Sequence, residues 1–236
     1  MTNGCLPVVG IYGAGKSGTA VARRALAAGY PVNIASSHPA AETQFIADIV
    51  TPGASGVDSG ELAARSELLL IAVPLRGFLG LPLEQMAGHA VIDMMNYWPP
   101  TDGIIPEFDG TDIPSSVIVR DALPSSVRLV KTLNHIGYHE IDAAEPSTSP
   151  SERLAVGVAA DDPDAALEVA EFLTRLGYDP VSVGDLERSR ILQPRGPVFG
   201  AHTTALRFRA LIRGDLIANV SEPPRSTNDS GRRRAI

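Results

Sequence analysis

The feature that most constrains this chain is a strand that runs straight into a glycine-rich turn and out again into a helix. Val8-Val9-Gly10-Ile11-Tyr12 reads as a buried strand, and Ser17 to Ala28 reads as a helix with Val21, Ala25 and Ala28 on one stripe. Gly29 stops that helix. Between them lies Gly13-Ala14-Gly15-Lys16-Ser17-Gly18, a G-x-G-x-x-G turn. Each glycine has a physical task in a dinucleotide site. The first allows the tight turn, the second lets the backbone approach a pyrophosphate, and the third lets the helix pack close to the strand. A helix N-terminus adds unpaired N–H groups and a positive dipole end. All six residues, Gly13 to Gly18, are therefore candidate cofactor-binding residues.

The same letters carry a second motif. Gly10 to Ser17 also spells G-x-x-x-x-G-K-S, a nucleoside-triphosphate loop, and Ala90-Val91-Ile92-Asp93 could pass as its magnesium-binding strand. That reading requires the first strand to end at Gly10, which leaves only Leu6 to Val9 before it with Pro7 inside. In the dinucleotide reading the strand continues to Tyr12 and both Gly13 and Gly18 acquire roles. The unit from Val8 to Ser36 also has about the 30-residue length of a dinucleotide-binding βαβ unit. The dinucleotide is the favoured ligand, and the triphosphate stays as an alternative using Lys16 and Ser17.

Which dinucleotide depends on the end of the second strand, Val32-Asn33-Ile34-Ala35. An acid there would bind the ribose 2′-hydroxyl of NAD. This chain has Ser36-Ser37-His38 and no acid before Glu42. Two hydroxyls and an imidazole can donate to a 2′-phosphate, and Lys16 is a candidate counter-charge, so NADP(H) is the expected cofactor.

Farther on, short apolar runs alternate with helical patterns. Leu68 to Val73, Ala90 to Asp93, Val117 to Val119, Leu129 to Thr132 and Leu154 to Val158 read as strands. After about Ser151 a new unit begins. Asp162-Pro163 starts a helix, Gly177 ends it, Pro180 to Val183 returns as a strand, and a last helix is expected from about Phe199 to Arg213. The expected fold is α/β, a doubly wound parallel sheet with a small C-terminal α/β unit. Its divisions are a nucleotide-binding domain over 1–150, a small acceptor or dimerisation unit over 151–220, and a flexible tail over 221–236.

Composition narrows the function classes. The 236 residues are 44% hydrophobic and 20% charged with a net charge of −7, which suits a soluble globular protein and argues against a general nucleic-acid surface. The greasiest run, Leu68 to Leu75, is far shorter than the roughly 20 residues of a membrane span. With no leader visible, a cytoplasmic location is expected, with no membrane partner and no nucleic-acid partner. The single cysteine, Cys5, rules out an internal disulfide framework. His135 and His139 have metal-like i, i+4 spacing, but they flank Gly137 at a strand end without a third ligand, so no metal is expected. Asp93 reads as a turn-former.

Several of these stretches, taken together and in order, resemble coenzyme F-420-dependent NADP oxidoreductases. They are Gly13-x-Gly15-x-x-Gly18, Ala72-Val73-Pro74, Asp93-Met94-Met95-Asn96, Val130-Lys131-Thr132-Leu133-Asn134, Leu176 to Val181 and Ser189-Arg190-Ile191-Leu192. The resemblance implies a Rossmann domain binding NADP(H), with a hydride passing between NADPH and a small-molecule redox acceptor, the deazaflavin coenzyme F-420. It implies that Ala72, Val73, Pro74 and Asn96 lie on the cofactor side. Pro74, Asn134, Ile136 and Arg190 would position the acceptor, with no side-chain acid, base or nucleophile. It leaves a homodimer open. Where such proteins offer hydroxyl residues after Arg190, this chain has Gln193-Pro194-Arg195-Gly196, so a flavin or another flat acceptor is also open. Asn96-Tyr97-Trp98-Pro99-Pro100, with the only tryptophan, is either a wall over the acceptor or a cap on the sheet. The alternative from another class is a non-catalytic NADP(H)-binding redox sensor.

Overall fold

In a computed structural model, which describes residues 5–143, 149 and 152–214, the chain forms one eight-stranded sheet. The first half contains β1 (Val9–Tyr12), α1 (Lys16–Ala27), β2 (Val32–Ala35), α2 (Ala40–Val50), β3 (Ser55–Gly56), α3 (Ser59–Leu62), β4 (Leu68–Ile71), α4 (Leu75–Phe78) and β5 (Ala90–Asp93). Then follow α5 (Pro99–Asp102), α6 (Ser115–Ala122), β6 (Arg128–Lys131), α7 (Tyr138–Ala143), β7 (Ala155–Ala160), α8 (Pro163–Arg175), β8 (Asp179–Gly184) and α9 (Ala205–Arg213). The strand order is β3-β2-β1-β4-β5-β6-β7-β8, parallel throughout except for the antiparallel pair β6–β7. The order reverses direction at β1, which makes the gap between the carboxyl ends of β1 and β4 the topological switch point.

The strands are short and apolar because both faces are covered. Val9, Ile11, Leu68, Leu70, Ala90 and Ile92 point into one core with α1 and α8. Their alternating neighbours Tyr12, Leu69, Ile71 and Val91 point into a second core under α3, α4 and α6. A third cluster packs Phe208 and Leu211 of α9 against Val181, Val183 and Leu192. The strands β7 and β8 thus extend the same sheet as the first six. Asp162 caps α8 by accepting the N–H of Ala165 at 2.8 Å, with Pro163 next in line, as the dipeptide suggests.

Two elements depart from expectation. Val117-Ile118-Val119, expected as a strand, lies inside helix α6. Three β-branched residues are too short a run for periodicity to choose between helix and strand, and burial of Val117 and Val119 under the sheet overrides their propensity. The last helix begins at Ala205 instead of Phe199. The intervening backbone is used elsewhere: Gly200 N–H donates to the His135 carbonyl and Ala155 N–H to the Thr203 carbonyl, both at 2.8 Å. The expected boundary at 150/151 and the expected tail from 221 lie outside the described residues.

Candidate nucleotide and acceptor clefts

The turn after β1 is built by the closeness of β1 and β4. Gly13 has φ +122°, and a Cβ there would lie 2.4 Å from the Ala72 carbonyl oxygen. At Gly18 a Cβ would lie 1.9 Å from the Gly13 carbonyl oxygen, so a side chain would push α1 off the turn. Gly15 differs: a Cβ there meets nothing within 4 Å, and its backbone is exposed. The first turn of α1 carries no acidic side chain to compete for its free N–H groups. A close turn, a close helix and an open backbone are what the three glycines of a pyrophosphate site need.

Above this turn is a cleft of about 560 Å³. It gathers Gly13, Ala14, Gly15, Ser36, Ser37, His38, Ala72, Val73 and Pro74 from three separate stretches of sequence. Ile46, Ser59, Gly77, Gly80 and Leu81 also line it, none of them singled out by sequence. Their contribution is room and apolar surface, which no local motif signals. Tyr12 forms part of the wall, and burial pushes its phenol up to about 12, so it stays protonated.

Lys16, Ser17 and Gly18, also expected to bind the cofactor, are not among the residues lining the cleft. Ser17 is half-buried and Gly18 buried at the start of α1. The Lys16 ammonium lies over the Tyr138 ring, 5.3 Å from its centroid. The Ser36 hydroxyl shares a 2.7 Å hydrogen bond with Thr43 and accepts the His38 N–H at 3.0 Å. It is therefore occupied in shaping the turn. Ser37 and His38 are exposed at the rim.

The acceptor-side candidates separate in space. Asn96, expected on the cofactor side, is not among the residues lining the nucleotide cleft; it follows β5 and is stitched to the acceptor-side Asn134, after β6: Asn96 Nδ2 donates to the Asn134 carbonyl at 2.6 Å, and Asn134 Nδ2 donates to Asn96 Oδ1 at 2.9 Å. Asn134 Nδ2 also donates to the Leu192 carbonyl at 2.7 Å. Ile136 is buried in the core. Arg190 is exposed and pairs with Asp112 at 3.4 Å. A second cleft of about 400 Å³ lies between Tyr97-Trp98-Pro99, Phe108 and Gln193-Pro194-Arg195. The tryptophan segment and the post-Arg190 departure, distant in sequence, thus face one space.

Beneath Asn96 is a buried pair that the sequence reading missed. Lys131 Nζ bonds Asp93 Oδ2 at 3.1 Å and the Met95 carbonyl, while Asp93 accepts Ser116 Oγ at 3.0 Å and Met95 N–H at 2.9 Å. Desolvation pulls the Lys131 ammonium down from its ordinary value, and the Asp93 charge opposes this. His135 is also buried. Its Nε2 accepts the Gly157 N–H at 3.3 Å, and desolvation together with the Lys131 charge lowers it to about 3. His139 is exposed on α7, so the two histidines do not converge.

The triphosphate alternative loses its geometry here. β1 runs through Gly10 to Tyr12, and Asp93 is held by Lys131, Ser116 and a backbone N–H. A mostly parallel sheet whose order reverses at β1, with an open Gly15 over a cleft, has the architecture of a Rossmann fold.

Residues 8–97 match the model of the family of NADP oxidoreductases, coenzyme F420-dependent, so the resemblance read from the motifs is shown over this stretch. No curated protein matches the chain. Among solved structures, a hypothetical protein of Sinorhizobium meliloti is similar with a TM-score of 0.67 and 24% identity, over 84% of this chain and 92% of that one. A protein of Arthrobacter sp. FB24, described as a candidate F420-dependent NADP reductase, has a TM-score of 0.64 and 21% identity, over 79% and 90%. A reductive aminase of Aspergillus terreus in complex with NADPH4, cyclohexanone and allyl amine has a TM-score of 0.54 and 14% identity, over 89% of this chain and 61% of that one. These likenesses show the fold. The family match supports an NADP-dependent oxidoreductase.

Proposed function

We propose that this chain transfers a hydride between NADPH and a flat redox acceptor of the deazaflavin type. The observation that carries the reading is the pairing of two clefts at the carboxyl edge of one sheet. One has the open Gly15 turn and an Ala72-Val73-Pro74 wall, and the other has the aromatic Tyr97, Trp98 and Phe108. The Asn96–Asn134–Leu192 hydrogen bonds fix the chain just before Tyr97 and Gln193 of the second cleft.

When bound, the nicotinamide supplies the hydride. The chain's task is to hold two rings in register and exclude water, which needs positioning and no nucleophile. Ala72, Val73 and Pro74 offer an apolar surface without a titratable group. Asn96 and Asn134 hold that stretch in place. Trp98, about half exposed, offers a face on which a planar acceptor stacks. Arg195, and Arg190 once released from Asp112, supply charge for an anionic acceptor. Within this reading the partner is a small-molecule acceptor, and a second copy of the chain is the proposed assembly partner.

The test is anaerobic oxidation of NADPH, set against NADH, with oxidised deazaflavin as acceptor and FMN for comparison. Reduction of deazaflavin with a preference for NADPH is the expected result. NADPH binding without reduction of either acceptor would overturn the deazaflavin reading and put a redox sensor in its place.

A further inference from the structure

The two clefts are tied together by a side chain that lines neither of them. Asp102 closes α5 and is buried, with 2% of its surface exposed. Its Oδ2 accepts the Trp98 N–H at 2.8 Å, and its Oδ1 accepts the Arg76 N–H over a longer 3.4 Å. Arg76 answers from the other side, donating Nε–H to the Asp102 carbonyl at 2.7 Å. These partners belong to different clefts. Trp98 lines the aromatic cleft, whereas Arg76 stands in α4 between Pro74 and Gly77, which both line the nucleotide cleft. An ionised carboxylate accepts on both oxygens and donates from neither. Asparagine, of the same shape, accepts on one arm only. The burial of a charge here costs solvation, and what it secures is a backbone N–H on each arm.

We propose that Asp102 is a positioning residue for hydride transfer, fixing the Trp98 face of the acceptor cleft relative to the Val73-Pro74 wall of the nucleotide cleft. The inference rests on the oxidoreductase reading given above. In that reaction NADPH, an oxidised acceptor and a proton from water become NADP+ and the reduced acceptor, and the hydride crosses directly from one ring to the other. Such a step tolerates little displacement: a misplacement of about 1 Å can cost about a hundredfold in rate. The glycine turn holds the dinucleotide by its pyrophosphate, and the aromatic cleft holds the acceptor by stacking. Neither hold depends on where the other cleft stands. Asp102 acts on the separation of the two, so its loss slows the transfer while each ligand still binds.

The test compares the native chain with Asp102→Asn, whose amide must turn its N–H groups on one of the two backbone donors. Anaerobic single-turnover oxidation of NADPH by oxidised deazaflavin, with FMN for comparison, measures the transfer, and calorimetry measures NADPH affinity. The hydride rate should fall about tenfold or more, with NADPH affinity unchanged. Trp98 is the only tryptophan, so the emission anisotropy of the chain reports on it directly and should drop as its anchor is lost. Arg76→Met removes only the exposed Nε–H bond and should lower the same rate by a smaller factor. It carries the test if Asp102→Asn does not fold. An unchanged rate in folded Asp102→Asn, or in Arg76→Met where that variant stands in, would overturn the proposal. So would a loss of NADPH affinity in step with the rate, since Asp102 would then only build the nucleotide cleft. A native chain that binds NADPH but reduces neither acceptor would overturn the oxidoreductase reading and this inference with it.

Discussion

Three glycines in six residues do three physically different things, and substitution separates them. At Gly18 the obstacle is a backbone oxygen 1.9 Å from where a Cβ would stand, so α1 must shift or the turn must open. Gly18→Ala is expected to cost about 2 kcal/mol or more of stability, in the range of overpacked core sites. At Gly15 the backbone has φ −80°, which alanine adopts freely, and the space is open. Gly15→Ala should therefore unfold at the native denaturant midpoint yet bind NADPH at least about tenfold more weakly, because the methyl group occupies the approach of the pyrophosphate. Paired urea titration and nucleotide calorimetry on the two variants check this. Normal NADPH affinity in Gly15→Ala would remove the pyrophosphate from this turn. The glycines were legible in sequence because their spacing encodes a backbone path. The Ser36 hydroxyl was legible only as a polar group, since its partner Thr43 faces it across a turn that the spacing does not reveal.

Between elements, the buried Lys131–Asp93 pair ties the end of β6 to the turn after β5. That turn leads directly into Asn96 and the Tyr97-Trp98-Pro99 wall, so the brace sets where one side of the acceptor cleft stands. Replacing Lys131 by methionine leaves the Asp93 charge buried with only Ser116 and a backbone N–H. The expected loss is about 3–5 kcal/mol. Lys131→Met combined with Asp93→Leu removes both charges and should recover a substantial part of it. Chemical denaturation of the single and double variants measures the coupling, and a double variant no more stable than Lys131→Met would show that the pair contributes more than mutual neutralisation. Lysine within an apolar strand gives no sequence sign that its ammonium will be sealed inside. The signal lies in the register Asp93↔Lys131, which exists only once β5 and β6 are paired.

For the molecule as a whole, the continuous sheet predicts cooperative unfolding. β7 pairs with β6, and Val156, Val169 and Phe172 share a core with Val9 and Leu70. Far-ultraviolet dichroism and Trp98 fluorescence should therefore give coincident transitions. The pH dependence follows from His135. Its folded value is about 3 against an ordinary 6.5, so below pH 6.5 the unfolded chain binds a proton that the native chain does not. Stability from this group is fully present above pH 6.5 and is lost as pH falls toward 3. Between pH 7 and 5 the loss is about 2 kcal/mol. His135→Gln should flatten the stability profile by that amount, and an unchanged slope in the variant would mean that His135 is not the group responsible. No helix among the described residues is long and apolar enough to cross a membrane.

The strand–turn–helix, the alternation of short apolar strands with helices, and the Asp162-Pro163 cap were all determined by sequence, because each is a local rule acting within a few residues. So was the resemblance that the family match bears out over residues 8–97. The helical state of Val117 to Val119, the late start of α9, the inward turn of Ser36, and the meeting of Trp98 with Pro194 were decided by tertiary structure. In each of these the deciding partner is distant along the chain or across a turn. Burial or a hydrogen bond to that partner outweighs a local preference of only a few tenths of a kcal/mol per residue.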